Sequence, residues 1–228
     1  MKQNKAIIIL TLFISIVLLS CDSMYDVHEQ YIQEGGIIYA ARPYLTKVKA
    51  GDNRVVVKML FVSGANLRKS VIVWNDGADS IVTDTNLSPM LDSMEIEIKG
   101  IEEGSYIFNT YNLDKDNNRS IKVQVIGNVY GEKYQATLLN RVANSITKND
   151  TAMVINWAQP KVGDNGVELI YNDANGTERF YRVGADELIT YIKSWELSGT
   201  MKYTTFYLPE EDAVDEFTAK TEALTMAR

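Results

Sequence analysis

The chain has 228 residues, a formal net charge of −7, one histidine and one cysteine. An acidic chain lacks the basic footprint that phosphate backbones attract, so nucleic acid is excluded as the expected partner. A single cysteine excludes an internal disulfide framework, and the length is enough for two domains with ordinary cores.

The first element is a leader. Lys2 and Lys5 precede an apolar run from Ala6 to Ser20. A charged head, an apolar middle and a small residue before the cut are the three parts of a secretory signal peptide. The run is short of the roughly 20 residues that a spanning helix needs. It closes on Leu18-Leu19-Ser20-Cys21, which resembles the lipobox of bacterial lipoproteins. The resemblance implies that residues 1–20 are cleaved and that Cys21 is the acylated first residue of the mature chain. It also implies a lipid-anchored protein of the cell envelope, in the outer membrane, with the cell surface as a further option. One acyl chain binds a membrane only marginally, and the two or three that lipoprotein maturation adds make the anchor durable. Loss of Lys2 and Lys5 takes the charge from −7 to −9.

Residues 21–36 are polar and end in Gly35-Gly36. They read as the lipidated tether, and His28, the one histidine, lies in it.

From Ile37 the chain alternates. Thirteen tyrosines and many Val, Ile and Thr favour strands. Asn53 to Val62 puts Val55, Val57, Met59 and Phe61 on one face and Lys58 on the other. Ser70 to Asn75 is a strand broken at Asn75-Asp76-Gly77, and Asp79 to Thr83 returns. Ser93 to Lys99 turns Met94, Ile96 and Ile98 inward. Ser105 to Leu113 and Ser120 to Tyr130 form a hairpin around residues 114–118. Seven or so short strands at this spacing predict a β-sandwich over residues 37–130. Residues 131–141 read as a short helix or ordered connector, and residues 142–228 as a second sandwich. The second half repeats the first at an offset of about 96 residues. Arg54 to Phe61 answers to Asp150 to Trp157, Val71 to Val82 to Glu168 to Phe180, and Gly104 to Leu113 to Gly199 to Leu208. Asn175-Gly176 signals a two-residue hairpin turn of the primed kind. The fold class expected is therefore all-β, with two sandwiches in tandem.

Trp157 followed by Pro160 resembles the second strand of a fibronectin type III domain. Residues 101–120 resemble its E–F corner, sixth strand and final hairpin. The resemblance makes the pair fibronectin type III-like, within the immunoglobulin-like sandwiches. It also makes Tyr106 the corner tyrosine, its hydroxyl bonded back to the backbone. Phe61 stands where that pattern has tryptophan. The motifs GGIIYAARP, VIVWNDGADS, DKDNNRS, YGEKYQATLLNR and FYLPEEDAVDEF together resemble a Bacteroidota-type lipoprotein family of unknown function. They mark a fold and a compartment; they specify no chemistry.

Catalysis finds little to work with. A Ser-His-Asp triad needs a histidine beside a serine, and His28 is in the tether. Cys21 is consumed by acylation. Glu95 and Glu97 share one face of a strand, roughly 7 Å apart, a spacing that glycoside hydrolysis can use. Their alternation with Met94, Ile96 and Ile98 marks them instead as the wet face of a strand. Asp114, Asp116, Asn118 and Ser120 begin like a calcium loop. Arg119 and Val125 then stand where that loop needs glycine and a bidentate glutamate, which favours a hairpin whose side chains satisfy the turn. No catalytic residue, metal site or cofactor is expected.

Three tryptophans bear on ligand contact. Trp157 is expected in the core; Trp74 and Trp195 are the residues that could stack on a sugar, with core roles favoured for both. The tripeptides at Asp22-Ser23-Met24, Asp79-Ser80-Ile81, Asp92-Ser93-Met94 and Asp150-Thr151-Ala152 resemble O-glycosylation acceptors of such bacteria. Ser23, Ser80, Ser93 and Thr151 are the residues concerned. Composition gives about one such match, so four is an excess, on a short motif. The function expected is a non-catalytic envelope lipoprotein that presents binding, adhesion or assembly domains to an unidentified protein or glycan. The alternative is a glycan-binding accessory of a carbohydrate-uptake system.

Overall fold

A computed structural model of the chain describes residues 39–149, 151–193 and 200–224. The leader, the tether, Cys21, Ser23, His28 and Trp195 lie outside the described residues.

The first half forms seven strands: β1 (Leu45–Ala50), β2 (Arg54–Phe61), β3 (Leu67–Trp74), β4 (Asp79–Asp84), β5 (Asp92–Lys99), β6 (Gly104–Asp114) and β7 (Val123–Val129). They pair antiparallel into a sheet ordered β1-β2-β5 and a sheet ordered β4-β3-β6-β7. The strict alternation of β2 drives the packing. Val55, Val57, Met59 and Phe61 are all buried, and Val57 sits opposite Ile96 in β5. They meet Ile72 of β3 and Phe108 of β6 in one core. At the far edge, Gly127 of β7 brings its backbone against Val48 of β1. A Cβ there would lie 2.3 Å from Val48 Cγ1, so the two sheets close through a position that only glycine fits.

The second half has β8 (Ala143–Lys148), β9 (Ala152–Trp157), β10 (Asp164–Asn172), β11 (Glu178–Val183), β12 (Ile189–Lys193), β13 (Met201–Tyr207), β14 (Phe217–Thr218) and β15 (Glu222–Leu224). One sheet is ordered β8-β9-β12. In the other, β11, β10 and β13 run in order, and β14 and β15 both pair with β13. In each half the first, second and fifth strands make one sheet, and the fourth, third, sixth and seventh make the other, to which the second half adds β15. The molecule is thus an all-β pair of fibronectin type III-like sandwiches in tandem, as the sequence repeat predicts. Met153, Ile155, Trp157, Leu169 and Tyr203 lie in the second core. Trp157 occupies the place of Phe61, and its indole nitrogen donates to Thr190 Oγ1 at 3.0 Å, which satisfies the polar end of a buried ring.

The corner tyrosine behaves as the resemblance implies. Tyr106 Oη donates to the Glu102 carbonyl at 2.8 Å. By the repeat, Met201 stands in that place in the second sandwich, which therefore has no counterpart.

Several details depart from the sequence reading. Met94 is half-buried, whereas Ile96 and Ile98 are buried. The final strand of the first sandwich starts at Val123, because Ser120 is taken up in closing the hairpin and its Oγ accepts from Asn112 N at 2.9 Å. The Asn175-Gly176 turn is longer than two residues. Asp173 Oδ1 accepts from Asn175 N at 2.9 Å and from Thr177 N at 3.0 Å, and within this loop only Gly176 has positive φ, at 79°. A primed turn needs its left-handed residue earlier than that. The hydrogen bonds to the Asp173 carboxylate set this loop in its place.

Candidate functional site

The outward face of β5 was the place for acid chemistry. Glu95 and Glu97 do point away from the core, but each is claimed by cations. Glu95 Oε1 lies 3.0 Å from Lys49 Nζ and 3.3 Å from Lys58 Nζ. Glu97 pairs with Arg54 and with Lys99. The side-chain bonds from Lys49 and Lys58 hold Glu95 below the usual carboxylate range, and those from Arg54 and Lys99 do the same for Glu97. A general acid needs the opposite shift.

The Asp114 loop is satisfied from within. Asp114 Oδ1 accepts from Asp116 N at 2.9 Å and Asn118 N at 2.8 Å, while Oδ2 accepts from Asn118 Nδ2 at 2.9 Å. The side-chain bond from Asn118 heads the causes that lower its pKa. Its oxygens serve the turn backbone. Among the described residues no group of three His, Cys, Asp or Glu side chains is arranged to hold a metal ion.

Trp74 faces inward with Ile72 and is half-buried, its ring 6.2 Å from that of Phe108. Its remaining edge lines a shallow polar cleft of about 410 Å³ with Asn75, Asp79, Lys99, Glu102 and Tyr106. Ser80 and Ser93 are exposed on the outward faces of β4 and β5, and Thr151 is exposed in the turn before β9. Two of these three candidate residues thus stand on strands rather than loops.

A cluster of long-range polar contacts lies where the two sandwiches meet. The chain between β13 and β14, residues 208–216, carries Glu210, Glu211, Asp212, Asp215 and Glu216. It reaches the first sandwich along one edge. Arg54 Nε donates to Asp215 Oδ2 at 2.7 Å, and Nη2 donates to Oδ1. The amide of Asp52 donates to the same Oδ2 at 2.9 Å. Lys47 Nζ stands 2.6 Å from Asp212 Oδ2. Asn128 Nδ2 and Tyr130 Oη donate to Glu210 Oε1 at 2.8 and 3.2 Å. One backbone bond joins in: Val214 N donates to the Ala50 carbonyl at 2.8 Å. The Arg54 side chain leads the causes that lower the Asp215 pKa.

Beside these charges is an apolar plug. The rings of Tyr130, Tyr134 and Phe217 meet edge to face, with centroids 4.8 Å apart for Tyr130–Tyr134 and 5.2 Å for Tyr134–Phe217. Tyr134 belongs to the short helix α1 (Glu132–Thr137), within the expected connector. The first sandwich caps that helix: Glu103 accepts from Lys133 N at 2.8 Å and Tyr134 N at 2.7 Å. Such bonds fill orphan donors at a helix start, where negative charge is favoured. The connector then enters the second sandwich through Asn140 and Arg141. Asn140 Oδ1 accepts from Thr205 N at 2.8 Å. Arg141, its side chain 1% exposed, makes a two-pronged pair with Asp164, with Nε to Oδ2 at 2.7 Å. Each end of the connector is therefore held by the sandwich it adjoins, and the described residues from Ala40 onward form one compact unit.

The architecture defines the class: a tandem pair of fibronectin type III-like sandwiches, joined through a capped helix and an acidic loop. Residues 21–217 match the DUF4998 family, a domain of unknown function, and the chain belongs to that family. No curated protein matches the chain. Solved structures that resemble it include a two-domain fibronectin type III segment of chicken tenascin, 10% identical, covering 80% of this chain and 97% of that one with a TM-score of 0.32. The FN1–FN3 domains of chicken CNTN1 are 8% identical over 83% of this chain and 67% of that one, with a TM-score of 0.42. The central fibronectin-III array of RIM-binding protein is 15% identical over 82% and 70%, with a TM-score of 0.31.

Proposed function

We propose that the protein is a lipid-anchored lipoprotein of the bacterial cell envelope that holds two sandwiches as one stiff binding or scaffolding unit and performs no catalysis. The observation that carries this reading is the joint. Fibronectin type III-like sandwiches are often binding or scaffolding modules. Here one loop of the second module bonds to β1, β2 and the end of β7 in the first, while the connector is capped from one side and buried in the other. Such a joint fixes the angle at which two surfaces are offered, which matters for a scaffold.

The anchor rests on Leu18-Leu19-Ser20-Cys21 behind the charged, apolar leader. The ion-paired state of Glu95 and Glu97 favours binding over hydrolysis. The half-buried packing of Trp74 on Phe108 gives the glycan-accessory alternative less support than an open tryptophan face would. Intact mass of the protein extracted from membranes tests the reading. The expected mass is residues 21–228 plus two or three acyl chains, with sugar increments if Ser23, Ser80, Ser93 or Thr151 is modified. Cys21→Ser is expected to leave an unprocessed precursor, and labelled fatty acid still entering that variant contradicts the anchor.

A further inference from the structure

We infer that residues 208–216 are an electrostatic latch, that Arg54 is its principal receptor, and that the angle between the sandwiches is set by charge. The inference rests on the stiff-pair reading and adds the residues that control it.

Three features distinguish this loop from a solvated acidic run. First, three of its five carboxylates are individually received by the first sandwich, while Glu216 pairs with Arg182 of the second. Asp215 sits in the fork of Arg54 with the Asp52 amide on the same oxygen, Asp212 meets Lys47, and Glu210 takes Asn128 and Tyr130. Planar two-point recognition of a carboxylate by arginine is strong and directional. Second, the backbone follows the side chains: Val214 N bonds to the Ala50 carbonyl. Third, the floor is shaped for the approach. A Cβ on Gly51 would lie 2.5 Å from Asp215 Oδ2 and 2.8 Å from Val214 Cγ2. Charge and shape therefore specify the same docked position independently.

The charged groups that face the first sandwich share one balance. Arg54 is shared by Asp215 and Glu97, and Glu97 is also held by Lys99. Lys47 faces Asp212, with Glu210 and Glu211 adding to the field upon it. Neutralising Asp215 leaves Arg54 to Glu97 alone and frees the Asp52 amide. Screening acts in the same direction, because these side chains are only partly buried.

Amide hydrogen exchange of residues 21–228, made without the leader and with Cys21→Ser, reads the latch directly. Val214 N bonds across the joint, and Asp52 N bonds to the latch carboxylate. Asp215→Asn and Arg54→Gln remove charge; Gly51→Ala leaves all charges and blocks the approach. Each is expected to speed exchange at Val214 and Asp52 by on the order of tenfold while amides in β9 and β6 keep their wild-type rates. Raising salt is expected to speed exchange at the same two amides in the wild type. Unchanged exchange at Val214 in all three variants overturns the latch. So does acceleration spread equally over β6 and β9, which marks general destabilisation. A wild-type chain whose sandwiches take many relative orientations would instead overturn the stiff-pair reading itself.

Discussion

Arg141 carries a deeply buried polar contact that a single substitution breaks. It and Asp164 are each 1% exposed at the side chain, with Gly166 N donating to Asp164 Oδ1 and Arg141 N donating to Thr205 Oγ1. A buried pair gains little over an apolar replacement of both partners, yet loss of one partner strands a charge. Arg141→Met is therefore expected to lower unfolding stability by about 3–5 kcal/mol in a denaturant titration. A loss under about 1 kcal/mol would show that the pair is not dry. Tyr106 is a milder case: one hydroxyl bond to a carbonyl, at a half-buried ring, contributes about 1 kcal/mol.

At this scale the sequence was partly legible. Tyr106 and Trp157 could be placed because the fibronectin type III resemblance gives each a position in its motif. Arg141 could not, because its partner is 23 residues away, at the start of β10. Arg54 was harder still. It reads as the wet end of an alternating strand, and Asp215, its partner, is 161 residues further on. A run such as PEEDAVDE reads as solvated in isolation, and only folding both sandwiches shows that it has a floor.

Elements follow the same logic. β2 was readable because alternation and burial agree residue by residue, and β5 because they agree at Ile96 and Ile98. β1 and β8 were not singled out. In LTKVKA only Val48 and Ala50 are buried, and in ANSITK none is, so the apolar signal is too thin to mark a strand. They form because β2 and β9 offer free edges to pair with. The closure between β1 and β7 depends on Gly127. Gly127→Ala would drive a methyl group into Val48, and overpacking of this kind costs about 1–3 kcal/mol. The expected result is a lowered midpoint that Gly127→Ala with Val48→Ala partly restores. Additive losses in the double variant would show that the two positions do not meet.

For the whole molecule, pH acts on two regions with opposite signs. Tyr203, under the second core, donates to Glu222 at 3.1 Å, and burial followed by that bond pushes its pKa up to about 12. A raised tyrosine binds its proton more tightly when folded. Its contribution is complete below the ordinary value near 10 and is lost as pH rises through about 12. Asp215 is held low by Arg54. Its contribution is complete above the ordinary aspartate value and is lost as pH falls through the depressed folded value. Circular dichroism is expected to show alkaline loss of structure that Tyr203→Phe shifts to higher pH, while acid loosens the joint before the cores. Coincident acid loss at Val214 and in β9 would contradict that order.

The stiff union of the two sandwiches is the claim on which the scaffold reading turns. The most direct test is the distance distribution between spin labels on Asp84→Cys and Glu178→Cys, one in each sandwich, in a Cys21→Ser chain that otherwise has no cysteine. A single narrow distance at neutral pH and low salt is expected, with broadening when Asp215→Asn is added. A broad distribution in the chain with an intact Asp215 would contradict it, and the protein would then be two independent modules on a string.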